Sequence, residues 1–322
     1  MEVADFNAWH KAAWDEIRAY WQHRQSGEAT ADDDPQPRLA AAFFEYYTHQ
    51  KDSELGSKAL ATAFSMWGNA GCAEAAGKAL ERIDIHSADW PHVLDGAGNA
   101  FWKGDKQVEY KRLLHSLRER LTHPRSLSAV YGILGRQALR AGSAADARGY
   151  YTRIIDLQPD PFMVLEAEGA LYELDSLQPG QAAPDFVAAT IDGERIQLVQ
   201  LRDRIVLLDF WAADCGPCWP EFPYLRALHS NLPASDFVLI GVSQDKHEER
   251  LRDVMSRENM AWSQILEPTH WHDGLPIFGP ISKLYNVWGI PRTVLIDRQG
   301  MIVAKDLRRT ALETTVRESL AK

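Results

Sequence analysis

The stretch Ile205-Val206-Leu207-Leu208-Asp209-Phe210-Trp211-Ala212-Ala213-Asp214-Cys215-Gly216-Pro217-Cys218 decides the fold. Its first four residues are an unbroken apolar run, the pattern of a central strand buried on both faces. Two cysteines in a C-x-x-C follow, at the mouth of a helix predicted over 217–230. A thiol there meets unpaired backbone N–H groups and the positive end of the helix dipole, which stabilise the nucleophilic thiolate. Gly216 and Pro217 shape the turn, and proline is tolerated because its missing N–H would be unpaired anyway.

Outward from this segment the chain changes character. Downstream of Leu177-Gln178-Pro179-Gly180-Gln181-Ala182-Ala183-Pro184, short β-rich runs alternate with helical patterns, the signature of α/β layering. Strands are predicted at 186–190, 195–198, 205–211, 237–243, 293–297 and 301–304, and helices at 217–230, 247–258, 279–286 and 310–321. Upstream, apolar residues recur at helical spacing in 5–24, 37–50, 54–69, 72–84, 89–102, 105–121, 125–141, 143–157 and 161–174. The expected architecture is two-domain: all-α and repeat-like over 1–176, then α/β over 177–322. Within the first half, Tyr131, Leu134, Gly135 and Ala138, then Gly142, then Ala147, Tyr151, Ile154 and Pro159 resemble a tetratricopeptide hairpin, in which small residues let two antiparallel helices approach. Trp67, Trp90, Phe101 and Trp102 read as core; the sharper reading is a groove for a protein partner.

Composition removes several function classes. The 322 residues carry a net charge of −10 with both signs mixed throughout, which argues against a nucleic-acid binder. No segment approaches the roughly 20 apolar residues of a membrane span. Met1-Glu2-Val3-Ala4-Asp5 lacks the basic start and apolar stretch of a signal peptide, so the protein is either cytoplasmic or shorn of a leader. Three cysteines make no disulfide framework and no four-thiolate zinc site, and His229 lies at no usual ligand spacing from Cys218. No metal or other cofactor is expected. Cys72, in a small-residue helix, reads as packed.

The motifs then converge. Asp209-Phe210-Trp211-Ala212-x-x-Cys215-Gly216-Pro217-Cys218 resembles the thioredoxin active-site segment, with Pro223 where that family's helix is kinked. Gly289-Ile290-Pro291 before Thr293-Val294-Leu295-Ile296-Asp297 resembles its cis-proline loop and next strand. Pro179-Gly180-x-x-Ala183-Pro184-Asp185-Phe186, Glu221-Phe222-Pro223 and Leu295-Ile296-Asp297-Arg298-x-Gly300 resemble the TlpA/ResA branch, typically extracytoplasmic bacterial reductases. The match covers roughly 178–322 and leaves the helical half outside it.

The resemblance implies a thioredoxin-like domain with a central mixed sheet and a redox-active Cys215–Cys218 disulfide in place of a cofactor. It makes Cys215 the nucleophile, Cys218 the resolving thiol and Asp209 the buried acid that serves as base for Cys218. Substrate contact falls to Trp211, Gly216, Pro217, Ile290 and Pro291, the last expected cis and offering main chain to an extended client. The implied partners are disulfide-bearing client proteins and an upstream thiol reductant, in a periplasmic or otherwise extracytoplasmic setting. Two departures stand out. Asp214 replaces the usual tryptophan before the first cysteine, and Asp209 is an acid where the TlpA branch often has an amide. Arg292 reads as an exposed arginine. A disulfide-forming oxidase or isomerase would use the same residues, and a helical-repeat adaptor carrying a redox domain is the alternative from another class. A peroxidase needs a threonine shortly before its cysteine, and Phe210–Cys215 contains none.

Overall fold

The computed structural model describes residues 2–272 and 275–321, and divides by its contacts into Met1–Val164 and Leu165–Lys322. The first unit contains α1 (Val3–Ser26), α2 (Gln36–His49), α3 (Glu54–Ala70), α4 (Ala73–Leu80), α5 (Trp90–Lys103), α6 (Gln107–Arg120), α7 (Pro124–Arg140), α8 (Ala144–Leu157) and the first turn of α9 (Pro161–Ser176). Ends fall where cap chemistry places them. Gly27 and Gly71 take left-handed φ of 80° and 72° after α1 and α3, and the Ser53 hydroxyl accepts the Gly56 N–H at 2.9 Å to start α3.

Small residues set how closely these helices pack. A Cβ on Gly68 of α3 would lie 2.7 Å from the Gly96 carbonyl oxygen of α5, and one on Gly135 of α7 would meet the Tyr151 ring of α8 at 2.8 Å. The second contact is the small-against-aromatic packing expected of the repeat-like hairpin. The core is aromatic: Phe6, Phe43, Phe44 and Phe64 are buried, and Trp9 stacks on Phe43 at 3.9 Å. Trp67, Trp90 and Phe101 join it, whereas Trp102 is 69% exposed. Trp102 lines a cavity of about 400 Å³ among α5, α6 and α7, with Lys111, Arg136 and Arg140.

The second unit follows with β1 (Val187–Ala189), β2 (Arg195–Gln197), β3 (Ile205–Trp211), α10 (Phe222–Asn231), β4 (Phe237–Ser243), α11 (Glu248–Arg257), β5 (Ser263–Leu266), β6 (His270–His272), β7 (Leu275–Ile277), α12 (Pro280–Leu284), β8 (Arg292–Ile296), β9 (Ile302–Lys305) and α13 (Arg309–Leu320). Five strands form a mixed sheet in the order β5-β4-β3-β8-β9; β4 is parallel to β3 and β5, and β8 is antiparallel to β3 and β9. Every residue of the central β3 is buried, which explains its unbroken apolar run. Leu207 and Trp211 pack with Cys215, Cys218, Phe222 and Leu225 on one side, while Val206, Leu208 and Phe210 pack with Phe186, Tyr285 and Val287 on the other. Strand alternation therefore puts Asp209 on the cysteine side.

Three elements depart from expectation, two of them for local causes. The helix predicted over 217–230 is two pieces, a 3₁₀ stretch Gly216–Glu221 and then α10. Pro220 removes a donor inside the first piece, and Pro223 stands in the first turn of α10, where it starts a helix instead of kinking one. The sheet also gains β5, unforeseen because Ser263-Gln264-Ile265-Leu266 is short and carries a buried glutamine. The β6–β7 hairpin was not expected either.

Candidate active site

Cys215 and Cys218 are joined in a disulfide with their Cα atoms 5.4 Å apart. The Cys218 N–H donates to the Cys215 carbonyl at 2.9 Å, closing the turn that carries the pair. Cys215 is 8% exposed against 1% for Cys218, and Gly216 and Pro217 between them are exposed. A Cβ on Gly216 would meet nothing within 4 Å, so the ground beside the disulfide is open. Asp214 is exposed as well.

Asp209, on the face of β3 that packs with the cysteine pair, is 2% exposed. Burial pushes its carboxyl up to about 7; the Arg308 charge opposes this, and the nearby Glu221 carboxylate adds to it. In β8, Thr293 stands directly opposite Asp209. Glu221 ends the 3₁₀ stretch three residues after Cys218, on the same side of that tight helix. It is 6% exposed and accepts the Arg309 N–H at 2.8 Å, capping α13.

The bond Ile290–Pro291 is cis. Ile290 packs, half-buried, against the cluster that contains both cysteines, so the fold brings this loop and the disulfide together. Trp211 is placed differently from a client-binding residue. It is 1% exposed, its indole N–H donates to the Gln264 side-chain oxygen at 3.0 Å, and its ring meets Phe222 edge-on at 5.2 Å. It braces the cysteine turn from below, and no client can touch it there. Arg292 also departs from expectation: its side chain is 14% exposed and paired with Glu173 of α9 at 2.5 Å. Lys305 reaches the same Glu173 oxygen at 2.6 Å. Burial works to raise the Glu173 carboxyl, but the two cations hold it below its ordinary value.

Two further residues escaped the sequence reading. Asp245, just past β4 and 5% exposed, accepts the Ala213 N–H through both carboxylate oxygens at 3.1 and 3.0 Å and the Ser243 hydroxyl at 2.8 Å. It clamps the backbone two residues before Cys215, and the only sequence signal for it was an acid following a strand. Arg308, at the start of α13, donates to the Pro291 carbonyl, to the Leu307 carbonyl at 2.9 Å and to the Thr293 hydroxyl at 3.3 Å. Among the described residues, no cluster of three or more His, Cys, Asp or Glu is placed to hold a metal, and no helix is long and apolar enough to cross a membrane.

A five-stranded mixed sheet, an oxidised C-x-x-C after its central strand and a cis-proline loop packed with the pair define a thioredoxin-like redox protein. Residues 179–305 match the AhpC/TSA family. The chain is similar to the thioredoxin-like protein YneN of Bacillus subtilis, 30% identical over 129 residues, which span 39% of this chain and 69% of the relative. It is also similar to the thiol-disulfide oxidoreductase ResA of Bacillus cereus, 28% identical over 138 residues, covering 43% of this chain and 75% of that one. Among solved structures, the thioredoxin domain of a thiol-disulfide oxidoreductase from Bacteroides vulgatus aligns at 30% identity with a TM-score of 0.38, over 44% of this chain and 98% of that chain. Through its C-terminal half, the chain belongs to the thioredoxin-like thiol–disulfide oxidoreductases.

Proposed function

We propose that this oxidoreductase reduces disulfides of client proteins, with Cys215 as nucleophile, Cys218 as resolving thiol and Asp209 as proton acceptor. The observation that carries the reading is a carboxyl raised to about 7, buried on the face of β3 against which the cysteine pair packs. In the reduced protein the Cys215 thiolate attacks a client disulfide, forming a mixed disulfide and expelling one client thiolate. Asp209 then takes the proton of Cys218, whose sulfur attacks Cys215 and releases the second client thiol. The cycle closes when an upstream thiol reductant returns two electrons to the Cys215–Cys218 disulfide.

Cys215 is the attacking sulfur because it is the more exposed of the two and borders the open ground at Gly216. Client main chain would dock along Ile290 and Pro291, with Gly216 and Pro217 on the opposite side. The Gly216-Pro217 dipeptide, as in thioredoxin, favours the reducing direction over oxidase chemistry. Resemblance to the TlpA/ResA branch supports an extracytoplasmic place of action. A protein partner for the helical unit fits the exposed Trp102 on the wall of its cavity. The domain limits 1–176 and 177–322 belong to the same reading.

Trapping tests it. Cys218→Ser is expected to hold clients in a mixed disulfide through Cys215, and Cys215→Ser to lose both the trap and turnover, by more than about a thousandfold. A reduction potential near the roughly −120 mV of a strong oxidase would overturn the direction.

A further inference from the structure

The geometry points to Arg308 as the positioning residue that ties the client-docking loop to the proton transfer beneath the disulfide. This rests on the proposed role of Asp209 and adds a residue that no cysteine motif includes.

Arg308 precedes α13 with its side chain 30% exposed. Its guanidinium donates to the Pro291 carbonyl, which fixes the residue against which a client strand would lie. A second set of donors reaches the Leu307 carbonyl and the Thr293 hydroxyl. Thr293 in turn donates to the Leu307 carbonyl at 3.0 Å and is the direct cross-strand neighbour of Asp209. Side chains so paired stand about 5 Å apart at Cβ, on one face of the sheet.

These acceptors are neutral and leave the cation's charge uncancelled. Its ion pair among the described residues is with Asp306, half-exposed and at 3.9 Å. The charged groups that act on Asp209 are Glu221, from the 3₁₀ stretch, and Arg308; β4 and β8 present it with Gly241 and Thr293, which carry no charge. Arg309 is engaged with Glu221, through its N–H at 2.8 Å and its side chain at 3.7 Å. Arg308 is therefore the cation that favours ionised Asp209 over its protonated form, and the same guanidinium holds the docking loop.

The test uses the full chain, reduced, with two substrates. Dithionitrobenzoate releases one aryl thiolate when Cys215 attacks and a second when Cys218, having lost its proton, displaces it from Cys215. Insulin supplies a disulfide within extended main chain. In Arg308→Gln the pH limb of the second release is expected to move up by about half a unit to one unit, because the ionised carboxylate loses its cation. In Arg308→Lys the limb should stay within about 0.2 units. Both variants should raise KM for insulin by roughly threefold to tenfold, since neither reproduces the guanidinium fork, with one nitrogen on the Pro291 carbonyl and the other on the Leu307 carbonyl and Thr293 hydroxyl. Equal limb positions in wild type and Arg308→Gln, or equal shifts in the two variants, would overturn the electrostatic role. Unchanged KM for insulin would overturn the loop role. Asp209→Asn separates this from the underlying reading: if the limb survives that change, Asp209 is not the base, whatever Arg308 does.

Discussion

Among the described residues of the helical unit one carboxylate is buried, Asp89, and it is hydrogen-bonded by the hydroxyls of Ser57 at 2.6 Å and Ser87 at 3.1 Å. Among those of the thioredoxin-like unit four are buried: Asp209, Glu221, Asp245 and Glu267. Three of these accept backbone N–H groups, Glu221 from Arg309, Asp245 from Ala213 and Glu267 from Ile281 and Ser282. Asp209 accepts no hydrogen bond among the described residues and is the one driven up to about 7. The first three meet donors that replace the water lost on burial, whereas Asp209 meets none, and burial acts on it unrelieved.

The widest separation between the units should come from the aromatic core. Phe43→Ala is expected to destabilise the helical unit by about 3–5 kcal/mol, while the dithionitrobenzoate rates stay within roughly twofold. Urea melts read alongside those rates check this, and a collapse of the rates would break the comparison.

Asp209→Asn should run the other way. Below about pH 3 the carboxyl is protonated in folded and unfolded chains alike, so the substitution is neutral there. As pH rises towards 7 the unfolded chain ionises first and the native protein loses stability, a loss that levels off above the folded value of about 7. The variant is therefore expected to gain roughly 2–4 kcal/mol at pH 8 and nothing at pH 3, read from urea midpoints at the two pH values. Asp245→Asn, by contrast, should lose about 1–2 kcal/mol, because an amide replaces a carboxylate that accepts the Ala213 N–H and the Ser243 hydroxyl. If both substitutions stabilised the protein, the distinction between clamping and proton-carrying acids would fail.

Most of the architecture was legible because it is written in periodicity. Helical spacing located α1 to α9 to within a few residues, and the apolar run 205–208 marked the central strand. The cysteine pair and the Pro291 loop were legible because each requires a particular residue. The clamps were not. Asp245, Arg308 and Glu173 are ordinary surface residue types, and nothing local distinguishes an acid folded under a turn from one in water. The interior indole of Trp211 was misplaced for a related reason: its partner Gln264 sits on β5, a strand too short to leave a pattern. The two-piece helix that begins at Gly216 required weighing Pro220 and Pro223 separately.

Glu173 bears on how this protein can be taken apart. Lys305 and Arg292, 13% and 14% exposed at their side chains, draw on one carboxylate, and it lies in α9, ahead of the first strand. A fragment begun at the Leu177 turn would keep both cations and discard the carboxylate they share, leaving Arg292 only Asp306 at 3.7 Å. A buried charge stripped of its partner costs about 3–5 kcal/mol, a sizeable share of a small domain's whole stability. A fragment that keeps these ion pairs thus begins upstream of Glu173, in a helix that its sequence assigns to the other half.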